Sequence, residues 1–350
     1  MSDALMPGIA DATALGWRSR RYLRRRTGRG RATVAFGAGI AVLLLAPLAL
    51  LALDAHSAGW HEIHHVLLDG RAVYLLGHTV VLSLLVAVCA ASIGVATAWC
   101  TERTRLPARR VWTVLLVLPV AIPDDVVGYA WHSFAPTMDP LLAATLVMTL
   151  GTYPFVYLPV AAALRRSDPA MQDVAHSLGA GRVRTFVRVT LPLIRTAVVG
   201  GCVLVMLTTI AEFGTFEIVR YQTFTTEIFT EFQFDARAAA AMSLPLVLLA
   251  LLVLAVDGIV PRRGVPGTAP QRAAIRSRWK WASAPVLLAL AALIALAIGV
   301  PLVTLVYWMA QSQHATLPAT ATVGQATWNT LRYSALGATA AVALALPVAM

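Results

Sequence analysis

Residues 76–99 read LGHTVVLSLLVAVCAASIGVATAW, a run without a single Asp, Glu, Lys or Arg. A bilayer core about 30 Å thick is crossed by about 20 apolar residues in a helix, so this stretch is long enough to span one. Working outward, seven further windows of the same kind lie at 33–53, 111–133, 141–164, 196–219, 239–258, 282–308 and 328–350. Over all 350 residues, 58% are hydrophobic and 13% charged, against about 25% charged in an ordinary soluble domain. That deficit implies an outer surface facing lipid. The expected fold class is all-α, a polytopic transmembrane helix bundle of eight spans.

Charge placement orients the bundle. The net charge is +11, and Lys280 is the single lysine. A basic excess can mark a nucleic-acid binder, but here the arginines sit in blocks between apolar windows, which points to a lipid bilayer and to no nucleic acid. With the N-terminus cytoplasmic, the segments 1–32, 100–110, 165–195 and 259–281 all face inward. They hold 24 of the 28 Lys and Arg residues, leaving Arg71, Arg220, Arg237 and Arg332 elsewhere. Such asymmetry is what the positive-inside rule requires. Trp99, Trp112, Trp131, Trp279, Trp281, Trp308 and Trp328 fall near span ends, where an indole prefers the headgroup zone. Cys89, Cys100 and Cys202 are odd in number and at no metal spacing, so they form no disulfide framework.

The long inward segment 165–195 carries the most local information. It includes the start of MQDVAHSLGAGRVRTFVRVTLPLIRTA, residues 171–197. Asp168 and Pro169 suit an N-cap and first helical position. Met171, Val174, Ala175 and Leu178 recur at helical spacing on one face. Gly179 is placed to end that helix in a left-handed turn. A second segment with Arg182, Arg184 and Arg188 follows and is expected to stop at Pro192. This amphipathic hairpin either lies in the membrane interface or docks a soluble partner.

In this stretch the chain resembles the permease subunits of binding-protein-dependent ABC importers. Their cytoplasmic signature runs Glu-Ala-Ala, three residues, Gly, nine residues, Ile, one residue, Leu-Pro. The matching positions are Asp173, Val174, Ala175, Gly179, Val189, Leu191 and Pro192, with the spacing intact and three substitutions: Asp for Glu, Val for Ala and Val for Ile. The resemblance implies a bacterial inner-membrane protein whose loop inserts into a cytoplasmic ABC ATPase dimer and carries its closure to the spans. It implies a periplasmic solute-binding protein as second partner. No Gly-Lys-Ser/Thr phosphate loop is present, so the chain is expected to be no enzyme and to hold no cofactor, with ATP on the partner subunit.

Residues 211–243, AEFGTFEIVRYQTFTTEIFTEFQFDARAAAAMS, and Leu118–Pro119–Val120–Ala121–Ile122–Pro123 look like the ferric-iron type of these permeases. That type fuses two six-span halves. The implied layout is a basic tail 1–32, a first half 33–258, a linker 259–281, and residues 282–350 as the start of a second half, apparently truncated at Met350. Ferric iron is the implied solute; aminoethylphosphonate, thiamine and polyamine permeases share the signature. An ion-coupled secondary transporter is the alternative of another class, and the coupling-loop spacing counts against it.

Ionisable groups within spans default to functional candidates. Asp124 and Asp125 follow Pro123 about 20 Å along the third span. They line the way for a cation, or they cap a helix broken by Pro119 and Pro123. Glu212 and Glu217 fall about 24 to 32 Å along the fifth span, in a gate role or in a salt-bridge or interfacial role. His61–Glu62–Ile63–His64–His65 matches a zinc-protease pattern but sits in a short loop with no third ligand, so it reads as a polar interfacial helix and no metal site is expected.

Overall fold

The computed structural model describes residues 37–42, 45–54, 56–57, 70–104, 106–167, 170–259, 283–311 and 320–349. The expectations for the tail 1–32, the 61–65 histidine segment, Asp168, Pro169, and nearly all of the linker 259–281 lie outside the described residues. All described regular structure is helical, as the apolar periodicity requires.

The chain divides into two units, Met1–Leu51 with His314–Met350, and Ala52–Gln313. In the first, Thr320–Ala349 forms one long helix whose described side chains are almost all exposed. The second unit holds the core. Its helices are α1 (Gly70–Arg103), α2 (Arg109–Val117), α3 (Asp124–Phe134), α4 (Pro140–Arg166), α5 (Ala170–Ser177), α6 (Arg182–Thr185), α7 (Leu191–Ala211), α8 (Gly214–Ile218), α9 (Phe224–Phe232), α10 (Ala236–Ile259), α11 (Ser283–Ile294) and α12 (Val300–Gln311).

Helices α1, α4 and α7 pack together as the centre. The contact is made possible by small residues. A Cβ added at Gly94 of α1 would lie 2.8 Å from Val156 Cβ, and one added at Gly201 of α7 would lie 2.8 Å from Val156 Cα. Val156 of α4 therefore fills the notches of two neighbours at once, the close backbone approach that drives helix association where lipid removes the hydrophobic drive. Leu82, Val86, Ala90, Tyr153, Tyr157, Val160 and Ile194 complete this core. On the same helices Val73, Val81, Leu84, Val88 and Leu204 are exposed, an apolar outer face that fits lipid.

Six helices among the described residues are long and apolar enough to cross a membrane, and seven if one bent pair counts as a span. The expected eight is therefore corrected. Thr320–Ala349 is helical but is not among them. The bent pair is the expected third span, which is not straight. Arg109–Ala121 and Asp124–Phe134 meet at 91°. Ile122 is extended (φ −92°, ψ 125°), as a residue before proline prefers, and Pro123 has no N–H to continue the ladder. The fifth span also moves. It runs Val183–Ala211 and ends before Glu212, not at 219. Trp131, expected at an interface, is 6% exposed and packs among Val127, Val147 and Ile298.

Candidate functional site

Two places hold the residues singled out from sequence. The first is the hairpin at the end of the bundle where Arg103, Arg109 and Arg165 gather. Helix α5 contains Asp173, Val174 and Ala175. It ends through paired bonds: Ala180 N donates to Ala175 O at 3.0 Å and Gly179 N donates to His176 O at 3.0 Å. This is a Schellman ending, and Gly179 takes the left-handed position with φ +80°. Only glycine holds that conformation at no cost. His176 Nδ1 lies 3.0 Å from Ala180 O and Ser177 Oγ donates to Val174 O at 2.8 Å, bracing the turn. Around it the apolar groups are bare: Val174 is 57% exposed, Leu178 81% and Val183 77%.

Beyond the turn, the chain does not stop at Pro192 as expected. Helix α6 runs through a wide π turn, Phe186–Thr190, into α7, with Leu191 N donating to Phe186 O. Pro192 sits in the first turn of α7, where a missing N–H is tolerated. The wider turn absorbs the donor that proline lacks. The same device recurs at Ala295–Gly299 ahead of Pro301. Val189 is half-buried, Leu191 and Pro192 exposed.

Both arms of the hairpin land on the last turns of α1. Arg103 Nη2 donates to Leu164 O (3.1 Å) and Ser167 Oγ (2.5 Å), closing the end of α4. Phe186 of the π turn meets the Trp99 ring edge-on, centroids 5.3 Å apart. Beside them the Glu102 side chain, 4% exposed, pairs with Arg109 and stands 3.7 Å from Arg165. None of these contacts was read from sequence, because the partners are distant along the chain.

The second place is the break in the third span. Asp124 and Asp125 open α3, where their charges meet the positive end of the helix dipole. A Cβ at Gly151 of α4 would fall on Asp124 Oδ1, and one at Gly214 on Asp125 Oδ1. A Cβ at Gly128 would come 3.1 Å from Thr215 Cγ2. Glycines thus let α3 lie against α4 and α8. Glu212 caps the end of α7, and its Oε1 accepts from Thr215 N at 2.9 Å. Glu217 is exposed on α8 and stands apart. So Asp124, Asp125 and Glu212 are brought together by a bend and a helix end, replacing the positions along straight spans that a uniform helical rise assigned. Gly151 lies about 16 Å from the start of α4 at 1.5 Å per residue, so Asp124 meets α4 part-way along its length. Among the described residues no group of three His, Cys, Asp or Glu side chains is arranged to hold a metal ion.

Comparison with known proteins adds the family. Residues 80–263 match the profile of the binding-protein-dependent transport system inner membrane component. The chain is 30% identical over 283 residues to the Fe(3+)-transport system permease protein FbpB 2 of Haemophilus influenzae, covering 77% of this chain and 54% of that protein. It therefore spans little more than half of that relative's length. It is 26% identical over 237 residues to the sulfate transport system permease protein CysT of Salmonella typhimurium, covering 61% of this chain and 86% of that one. In fold it is similar to a chain of a bacterial alginate ABC transporter, solved in complex with an alginate pentasaccharide-bound periplasmic protein, with TM-score 0.50 and 15% identity over 73% of this chain and 97% of that one. With more than half of its length matched, the chain belongs to the binding-protein-dependent transport system inner membrane components, and is a multi-pass membrane protein.

Proposed function

We propose that the chain is the permease of an ATP-driven importer that receives a solute from a periplasmic binding protein and passes it to the cytoplasm. Asp173, Val174, Ala175, Gly179, Val189, Leu191 and Pro192 form the hairpin that docks on a separate ABC ATPase dimer, and the N-terminus is cytoplasmic. The observation that carries this reading is the left-handed turn at Gly179, holding a short helix with bare Val174 and Leu178 at the basic end of the bundle. An apolar knob between arginines is poorly suited to water and well suited to a cleft on another protein. Residues 33–258 form one six-span half and residues 282–350 begin a second.

Ferric iron is the proposed solute. The iron relative supports it, and so does the chemistry of the break, where Asp124, Asp125 and Glu212 present negative charge that attracts a cation and repels an oxyanion. Sulfate is the second reading, favoured by the CysT likeness over 86% of that protein's length. The test is to purify the protein from bacterial membranes with whatever ATPase accompanies it, and to measure uptake of radiolabelled ferric iron and sulfate in vesicles. Co-purification of an ATPase with iron uptake supports the proposal. Sulfate uptake alone replaces the solute but keeps the machine. Uptake driven by an ion gradient with no ATPase replaces both.

A further inference from the structure

The last turn of α1 touches both arms of the hairpin, and this places it in the path of any motion the hairpin transmits. The incoming arm is the end of α4. Arg103, only 9% exposed, donates to Leu164 O and Ser167 Oγ, and Ser167 Oγ itself donates to Leu164 O at 2.8 Å. A guanidinium at a helix C-terminus satisfies terminal carbonyls and meets the negative end of the dipole. Here it comes from a different helix, so it ties α1 to the residue from which the chain leaves for the hairpin. The outgoing arm is the π turn, and Trp99, one turn before Arg103, holds Phe186 edge-on at 87°. Edge-to-face rings attract one another beyond the area they bury. Glu102 reinforces the site by pairing with Arg109 and approaching Arg165.

We propose that Trp99 and Arg103 are positioning residues that clamp the two arms of the hairpin to one helix end, making α1 the receiver of the hairpin's motion. This rests on the coupling reading above. With both arms fixed to α1, a push on the hairpin cannot be absorbed by flexing one arm. It must displace α1, and with it α4 and α7, which share Val156 as a common contact. The wide π turn on the outgoing arm is where slack would otherwise be taken up, and the Trp99–Phe186 contact lies on that turn.

The test uses the full chain assembled with its co-purified ATPase, with Cys89, Cys100 and Cys202 replaced by serine or alanine. Nitroxide labels on Ala96→Cys in α1 and Val183→Cys in the hairpin report the distance between them by pulsed electron resonance. In the otherwise unaltered protein that distance keeps its centre and width when ATP and vanadate close the ATPase. In the Trp99→Ala/Arg103→Gln double variant it shifts on closure by more than its resting width. Returning Arg103→Lys with Trp99 intact restores most of the fixed distance, which a merely structural role does not demand. A distance that shifts equally with and without the clamp overturns the proposal, as does a double variant indifferent to nucleotide. Failure of the coupling reading looks different: no ATPase co-purifies at all, so the hairpin has no motion to transmit and the clamp inference falls with it.

Discussion

The carboxylate of Asp124 fills the notch left by the absent side chain of Gly151, so closely that a Cβ built on Gly151 would fall on Asp124 Oδ1. A half-buried acidic group is thereby seated against a neighbouring helix, the kind of placement expected of an intramembrane charge. Gly151→Ala meets only the tip of a short side chain, which can rotate away. Protein yield and melting temperature are expected to change little, while uptake falls because Asp124 is displaced. A folded, stable variant with unaltered uptake removes Asp124 from the pathway.

Gly94 and Gly201 make a contrasting pair. The nearest atoms to an added Cβ include Tyr157 N at 2.9 Å for Gly94 and Val156 Cα at 2.8 Å for Gly201, and backbone cannot swing aside. Gly94→Ala and Gly201→Ala should each destabilise the core by about 1–3 kcal/mol, the usual range for overpacking. Trimming the neighbour with Val156→Ala should rescue neither fully. Thermal unfolding in detergent reads the effect, and full rescue would mean that the helices separate more easily than their packing implies.

At Gly179 the constraint is backbone alone, since nothing lies within 4 Å of an added Cβ while φ is +80°. An L-residue held left-handed costs about 1–2 kcal/mol, with Asn penalised least. Gly179→Asn should keep ATP-driven uptake near the original level. Gly179→Val and Gly179→Leu should leave membrane insertion intact and raise the ATP hydrolysed per solute imported. Equal coupling in all three variants would separate the turn from transmission.

Glu102 offers a test of buried charge. Its side chain is 4% exposed, whereas Arg109 is 27% and Arg165 51% exposed. Removing Arg109 leaves the carboxylate with Arg165 at 3.7 Å as its remaining partner among the described residues. Arg109→Ala should cost up to about 3 kcal/mol, as breaking a buried pair does, and Arg165→Ala less than about 1 kcal/mol, as for a surface pair. Melting temperatures of the two variants check the order, and the reverse order contradicts the assignment of Arg109 as the main partner.

The solute reading turns on charge at the break. Glu212→Gln keeps an oxygen to accept from Thr215 N but removes the negative charge, and Asp124→Asn does the same for its site. Both should reduce uptake of ferric iron more than of any anion carried by the same vesicles. Loss that is equal for both solutes would assign these groups to structure.

Hydropathy exposed most of the architecture because a lipid-facing helix must be apolar over its whole length, and that is a local property. Gly179 was legible for a similar reason: a glycine between an apolar stripe and a basic segment has few other uses. The prolines at 119 and 123 announced a break, but the 91° bend depends on α3 settling against Gly151 and Gly214, partners that no local pattern names. Pro192 misled, since the rule that proline ends a helix holds inside one and not in its first turn. The contacts of Arg103 with Ser167 and of Trp99 with Phe186 join distant segments and emerge only when the helices are packed.

The proposed coupling requires the hairpin to face the cytoplasm, at the side of the ATPase. Leu178→Cys in a background without the native cysteines places a thiol at the most exposed apolar position among the hairpin's described residues. Treating sealed right-side-out and inside-out membrane vesicles with a membrane-impermeant maleimide should label this cysteine only in the inside-out preparation, and binding of the ATPase should protect it. Labelling from the outer face of right-side-out vesicles contradicts the account outright.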